Sequence, residues 1–121
     1  MKFLNEKHKL RFEELTKCIH QDDKERLIAM FVLSGNDALY SKSNKLYDFK
    51  NNEFIFDIKE NEDGQREIYW KASLSSSEEK LALLALSLYG ARNHVGVYEL
   101  FRCLDNENTR LALNAIEYAF S

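Results

Sequence analysis

Two unbroken apolar runs, Leu27-Ile28-Ala29-Met30-Phe31-Val32-Leu33 and Leu81-Ala82-Leu83-Leu84-Ala85-Leu86, most constrain what this chain can fold into. A polar segment suited to opening a helix precedes each: Asp22-Asp23-Lys24-Glu25 and Ser75-Ser76-Ser77-Glu78-Glu79. A Ser or Asp side chain accepts from the free N–H groups of the first turn, and a Glu three residues on reaches back to the cap. Each run ends near a glycine, Gly35 or Gly90, expected to close the helix in the left-handed conformation. Helices apolar on all sides are buried on most of their faces, so the two runs are predicted to be the central pillars of a helical domain. Leu27, Phe31, Leu83, Leu86 and Ile116 are expected to be nearly fully buried.

The rest of the chain arranges itself around these pillars. Asn5 is placed to cap a first helix over about 6–19, with His8, Phe12, Leu15 and Ile19 at the spacing of one helical face. The second helix is read over about 23–34, and Asn36 opens a short helix after Gly35. Residues 43–52 read as a polar connection pinned to the core by Leu46, Tyr47 and Phe49. The middle changes character. Glu53–Ile58 and Arg66–Trp70 are β-branched and aromatic, and they flank Asp63-Gly64, a strong turn signal. A β-hairpin is predicted, with Phe54, Phe56 and Ile58 on the face that packs on the helices. Helices then return over about 77–89, 95–104 and 106–120, the last opened by Asp105 and carrying a stripe of Leu111, Ala112, Ala115, Ile116, Ala119 and Phe120. The fold class is mostly α with a small β-hairpin (α+β), a compact bundle of about five helices in one domain spanning 1–121.

Composition narrows the function classes. With 121 residues, 45% hydrophobic and 31% charged, the chain has the makings of a self-sufficient globular core. Its apolar runs fall well short of the ~20 residues that cross a bilayer, and Met1–Asn5 does not lead into the apolar stretch of a signal peptide. A cytoplasmic location with no membrane partner is expected. Net charge is −3, unevenly spread. Residues 53–72 hold three Lys/Arg against six Asp/Glu. The basic residues of the 1–21 segment, Lys2, Lys7, Lys9, Arg11 and Lys17, are interrupted by Glu6, Glu13 and Glu14. That pattern suits a solvated face better than a phosphate-binding stripe, so nucleic acid is not the expected partner.

No motif assembles a reaction. Ser77-x-x-Lys80 matches a serine-nucleophile pattern, but helix capping accounts for the serines more completely. His8, Cys18, His20 and Cys103 lack the paired spacing of a zinc site. The two cysteines read as reduced core thiols, and His94 as a capping or surface residue before a helix. The acidic pairs Asp22/Asp23, Glu78/Glu79 and Asp105/Glu107 all fall at helix starts, where negative charge complements the helix dipole. No cofactor or metal is expected. Two regions remain as candidate sites. Gly35-Asn36-Asp37, with Tyr40, is either a structural corner or a ligand turn. In the hairpin, Tyr69 and Trp70 are adjacent and so point to opposite faces. Two readings follow: at least one is exposed as an interface anchor beside the acidic residues Glu60, Glu62 and Asp63, or both are simply core.

Several stretches carry a resemblance: Phe3-Leu4-Asn5-Glu6-Lys7-His8 with Arg11-Phe12-Glu13-Glu14-Leu15, Ser34-Gly35-Asn36-Asp37-Ala38-Leu39-Tyr40, Tyr47-Asp48-Phe49, Ser75-Ser76-Ser77, and Leu111–Ile116. In these the chain is similar to a family of small uncharacterised proteins, a domain of unknown function associated with Firmicute bacteria and their prophages or mobile elements. The resemblance spans most of the chain and is thinnest over the acidic 57–68 segment. It brings no catalytic residue. It implies a setting, that of a small accessory protein. The expectation that follows is a non-enzymatic protein-binding module, an inhibitor of a host or defence protein, with the hairpin edge also open to a second copy of the chain. The alternatives are a ligand binder or enzyme built on the Gly35–Asp37 turn, and a nucleic-acid-associated regulator using the first helix.

Overall fold

The computed structural model describes residues 1–90 and 96–121. It is α+β and mostly helical, with two small antiparallel sheets of two strands each among the described residues. Helix α1 (Glu6–Leu15) starts where expected, because the Asn5 carboxamide accepts from His8 N–H at 2.8 Å. It ends four residues earlier than expected. The Thr16 hydroxyl turns back onto the Phe12 carbonyl at 2.7 Å and the chain leaves the helix. Cys18 therefore lies on an exposed turn rather than in the core, which corrects the reading of both cysteines as core thiols; Cys103 is half-buried.

Helix α2 (Lys24–Ser34), capped by Asp23, is the pillar that its composition predicts. Residues Ile28 to Ser34 are all buried, and α1 packs on it along with two later helices, α5 (Ser76–Leu88) and α7 (Asn106–Ala119). Phe31 sits at its centre, ringed by Phe3, His8, Phe12 and Tyr118 at centroid distances of 4.5–6.3 Å. Leu86 is buried as expected. Leu27, Leu83 and Ile116 are only half-buried. Leu27 lies in the first turn of α2, and an apolar residue is covered only where a neighbouring element reaches it.

Gly35 does not take a left-handed conformation; its φ is −88°. Glycine is required there by a close approach. A Cβ at this position would fall 2.3 and 2.9 Å from the two Leu111 methyls and 3.1 Å from His8 Nε2. Gly90 does match the expectation, at φ +101°. After Gly35 the Asn36 side chain accepts from Leu39 N–H and opens α3 (Asp37–Ser41). The segment read as polar connection contains one helical turn, α4 (Ser43–Leu46), and a short strand, β1 (Tyr47–Asp48). Leu46 and Tyr47 are fully buried, so the pinning role holds.

The predicted first hairpin strand is in fact two strands. β2 (Glu53–Phe54) pairs antiparallel with β1, while β3 (Asp57–Glu60) pairs antiparallel with β4 (Arg66–Tyr69). Consequently Phe54 is buried and Phe56 half-buried as expected, but Ile58 is 56% exposed. By then the chain has turned away from the helices into a projecting hairpin.

Helix α5 opens with a full capping box, the Ser75 hydroxyl accepting from Glu78 N–H and the Glu78 carboxylate accepting from Ser75 N–H. α6 (Val97–Arg102) buries Leu100 and leaves Val97 exposed. His94 and the start of the helix expected over 95–104 fall at 91–95, outside the described residues. In α7, capped by Asp105, Leu111, Ala112 and Ala115 are fully buried. Phe120 is not part of the buried stripe. The helix ends at Ala119, and the ring is 81% exposed.

Candidate functional site: the hairpin and the groove beside it

The tip of the β3–β4 hairpin is built by Asn61. Its N–H donates to the Gln65 carbonyl at 2.8 Å, and its side-chain oxygen accepts from the N–H groups of Asp63 and Gln65. Gly64 takes φ +77° with open space around it, as an Asp-Gly turn demands. The strands pair Asp57 with Tyr69, Ile58 with Ile68, Lys59 with Glu67 and Glu60 with Arg66. Alternation then puts Ile58, Ile68, Glu60 and Arg66 on one face, and Asp57, Lys59, Glu67 and Tyr69 on the other. Glu60, Glu62 and Asp63 are exposed at the outer end and tip.

Tyr69 and Trp70 separate as adjacent strand residues must. Tyr69 is 42% exposed. Its hydroxyl donates to Glu67 at 3.1 Å, and the Lys59 ammonium lies 5.0 Å from its ring centroid. That carboxylate acceptor, helped by the negative charge of Glu67, raises the Tyr69 hydroxyl above its ordinary pKa. Trp70 turns inward and is half-buried, its ring against Phe54 at 6.0 Å and Phe56 at 5.9 Å. Its indole N–H is sealed from water and has no acceptor among the described residues.

A broad groove of about 870 Å³ runs beside the hairpin. Every residue of β4 and the following Trp70 line one side, Glu79, Lys80 and Leu83 of α5 line the other, and Leu74 also contributes. Sequence reading identified Tyr69, Trp70 and the acidic residues. It missed Ile58, Arg66 and the α5 wall, because the groove exists only once the hairpin is set against α5.

The second candidate region is engaged in holding the fold. Asn36 caps α3 and donates from its amide to Asn108 Oδ1 at 3.1 Å, tying this corner to α7. Asp37 pairs with Lys7 and Arg11 of α1, and these contacts, the Arg11 hydrogen bond foremost, hold its carboxyl below the usual range. The Tyr40 hydroxyl donates to Glu14 at 2.6 Å, and the Arg11 guanidinium lies 4.4 Å from its ring centroid. Asp37 and Tyr40 thus fasten α3 to α1, and the basic residues Lys7 and Arg11 of that helix are spent on the same contacts.

The remaining candidates are scattered. Ser77 Oγ lies 3.3 Å from the Ser75 hydroxyl in the first turn of α5. His8 has both ring nitrogens engaged inside the core, and His20 Nδ1 accepts from Asp22 N–H on the surface. Among the described residues no group of three His, Cys, Asp or Glu side chains is placed to hold a metal ion. Among them, too, no helix is long and apolar enough to cross a membrane.

The sequence model of a family of unknown function (DUF6075) matches residues 1–121, the whole chain. The chain belongs to that family. No curated protein and no solved structure matches it. Membership in this family carries no catalytic residue with it, so the reading of the site rests on the geometry of the hairpin and groove.

Proposed function

We propose that the chain is a non-enzymatic protein-binding module that presents the β3–β4 hairpin to its partner. The observation that carries this reading is Tyr69, a large aromatic held in the open at the rim of a groove by Glu67 and Lys59. Tyrosines that are ordered before binding lose little conformational freedom on contact and recur as interface anchors. Trp70 forms part of the groove wall behind it. The exposed carboxylates of Glu60, Glu62 and Asp63 give the hairpin an acidic end that steers a basic partner and raises its on-rate at low salt. The resemblance to small Firmicute and prophage proteins supports a narrower form: a cytoplasmic accessory protein of a phage or mobile element that binds and blocks a host or defence protein.

The test is affinity capture of host proteins with the wild-type chain and with Tyr69→Ala and Trp70→Ala separately, each checked for thermal stability. Tyr69→Ala is expected to lose the captured partner at nearly unchanged melting temperature. If Tyr69→Ala retains the partner, or loses it only by unfolding, the hairpin is scaffold and the reading fails.

A further inference from the structure

The alternation of hydrogen bonds in β4 is set by its turn. The Asn61 N–H to Gln65 O bond makes 61 and 65 a bonded pair, so 59 with 67 and 57 with 69 are bonded pairs as well. Glu67 and Tyr69 therefore spend their backbone groups on β3. Arg66 and Ile68, in the unbonded pairs, turn their N–H and C=O groups away from β3, and in-strand geometry carried on to Trp70 does the same. The sheet has only the two strands, so that side of β4 is an open edge, and neither Arg66 nor Ile68 has a backbone partner among the described residues. Consecutive residues 66–70 all line the groove, whichever way their side chains alternate. Lining by consecutive residues brings the groove along the edge of β4, and Ile58 of β3 in its lining means that it covers the Ile58–Ile68 face as well. The space between β4 and α5 is thus an empty strand position, about 17 Å long at the usual rise per residue.

We infer that this position takes an extended, basic segment of a partner protein, which adds as a third strand to β4 with its backbone on Arg66 and Ile68. The inference rests on the protein-binding reading above and gives it a partner chemistry. Charge selects the occupant. Glu67 and Glu79 lie in the groove lining, and Glu60, Glu62 and Asp63 lie at the hairpin end. Within the lining Arg66 and Lys80 balance Glu67 and Glu79, and Lys59 and Glu67 are both engaged at Tyr69, so the excess negative charge is that of Glu60, Glu62 and Asp63 at the hairpin end. At that end an acidic strand would meet like charge, and so would a second acidic hairpin. Backbone hydrogen bonds supply affinity in strand addition, and alternate side chains entering pockets supply specificity. Trp70, Leu74 and Leu83 offer an apolar wall for every second residue.

The probe is a short blocked peptide of alternating Lys and Val, compared with its Glu–Val counterpart and followed by amide NMR of the full chain. The Lys–Val peptide is expected to bind in a salt-dependent way and to slow amide exchange at Arg66 and Ile68, and the Glu–Val peptide is not. Arg66→Pro removes one outward N–H at an edge position where proline is tolerated, and it also removes a positive charge, which favours a basic peptide. Weaker binding in that variant is therefore a backbone effect, expected at about three- to tenfold, the equivalent of one hydrogen bond. Arg66→Ala, which keeps the N–H, should bind as wild type or better. Should Arg66→Pro disturb the hairpin, N-methylation of the peptide at alternate residues makes the same test from the other side. One set of positions must abolish binding and the other must not. Equal binding of both peptides, unprotected Arg66 and Ile68 amides, or indifference to the methylation pattern overturns the inference. So does a peptide-free dimer that Arg66→Pro dissociates, since the occupant is then a second copy. Host-protein capture that depends on Tyr69 but not on Arg66→Pro leaves the binding reading standing and removes strand addition alone; capture that depends on neither removes both.

Discussion

His8 Nε2 donates to the Phe31 carbonyl at 2.8 Å, linking the first turn of α1 to the last turn of α2. The Phe31 carbonyl is one of the groups that the end of α2 leaves without a helical partner, since Gly35 N–H bonds to Val32 instead. The other ring nitrogen, Nδ1, accepts from Leu4 N–H at 3.1 Å. With a proton on Nε2 and a lone pair in use on Nδ1, the imidazole is neutral. It anchors the N-terminal segment to the core.

Burial pushes the His8 pKa below its ordinary value, partly offset by the Phe31 hydrogen bond. Between that lowered value and about 6.5, the unfolded chain binds more protons at His8 than the folded one. The His8 contribution is therefore complete above the window and is lost as pH falls through it. The melting temperature is expected to begin to drop as pH falls below about 6.5, ahead of the carboxylate range. The same scan on His8→Phe, lower overall, should be flatter in that interval; an identical slope would assign the effect elsewhere.

Gly35→Ala places a methyl group against Leu111 and His8, both buried. The backbone at Gly35 is already in the right-handed region, so the cost is purely overpacking, about 1–3 kcal/mol. Chemical denaturation should show Gly35→Ala and Leu111→Val to be non-additive, the smaller side chain recovering part of the loss.

Phe31→Ala removes the ring around which Phe3, His8, Phe12 and Tyr118 are arranged. The expected destabilisation is about 3–5 kcal/mol, because four packed neighbours limit how far the cavity can collapse. A loss under about 1 kcal/mol in urea unfolding would contradict the placement of α2 at the centre of the core.

Asp37→Asn removes the charge that Lys7 and Arg11 share on the surface. Exposed ion pairs contribute little, so the variant should lose less than about 1 kcal/mol. In the wild-type chain the folded-state Asp37 carboxyl lies below the usual range, so its contribution is present above the ordinary Asp pKa and lost as pH falls through the lowered value. Hairpin-dependent binding should be unchanged. Loss of binding in a well-folded Asp37→Asn chain would move the functional site to the Gly35–Asp37 turn.

The starts of α1, α2, α3, α5 and α7 were legible from the residues alone. Asn5, Asp23, Asn36, Ser75 and Asp105 all cap as their types suggest, because a cap is a contact between a side chain and an N–H three residues away. The two apolar runs are legible as buried helices for a similar reason, since a helix with no polar face needs cover on most sides. The Asp-Gly turn and the opposed directions of Tyr69 and Trp70 likewise follow from local geometry.

Tertiary structure decided the rest. Gly35 looks like a left-handed helix stop until Leu111, far along the chain, is found against its Cα. The run 53–58 looks like one strand, but Tyr47–Asp48 takes its first two residues into a separate sheet and Ile58 is left in water. His8 resembles any histidine on a helix until the Phe31 carbonyl meets it. The groove needs β4 and α5 side by side, and its open edge follows from which strand has no neighbour. Local sequence determines how the backbone begins and turns, through contacts a few residues long; packing between distant segments determines which surfaces are covered, and so which are left to bind.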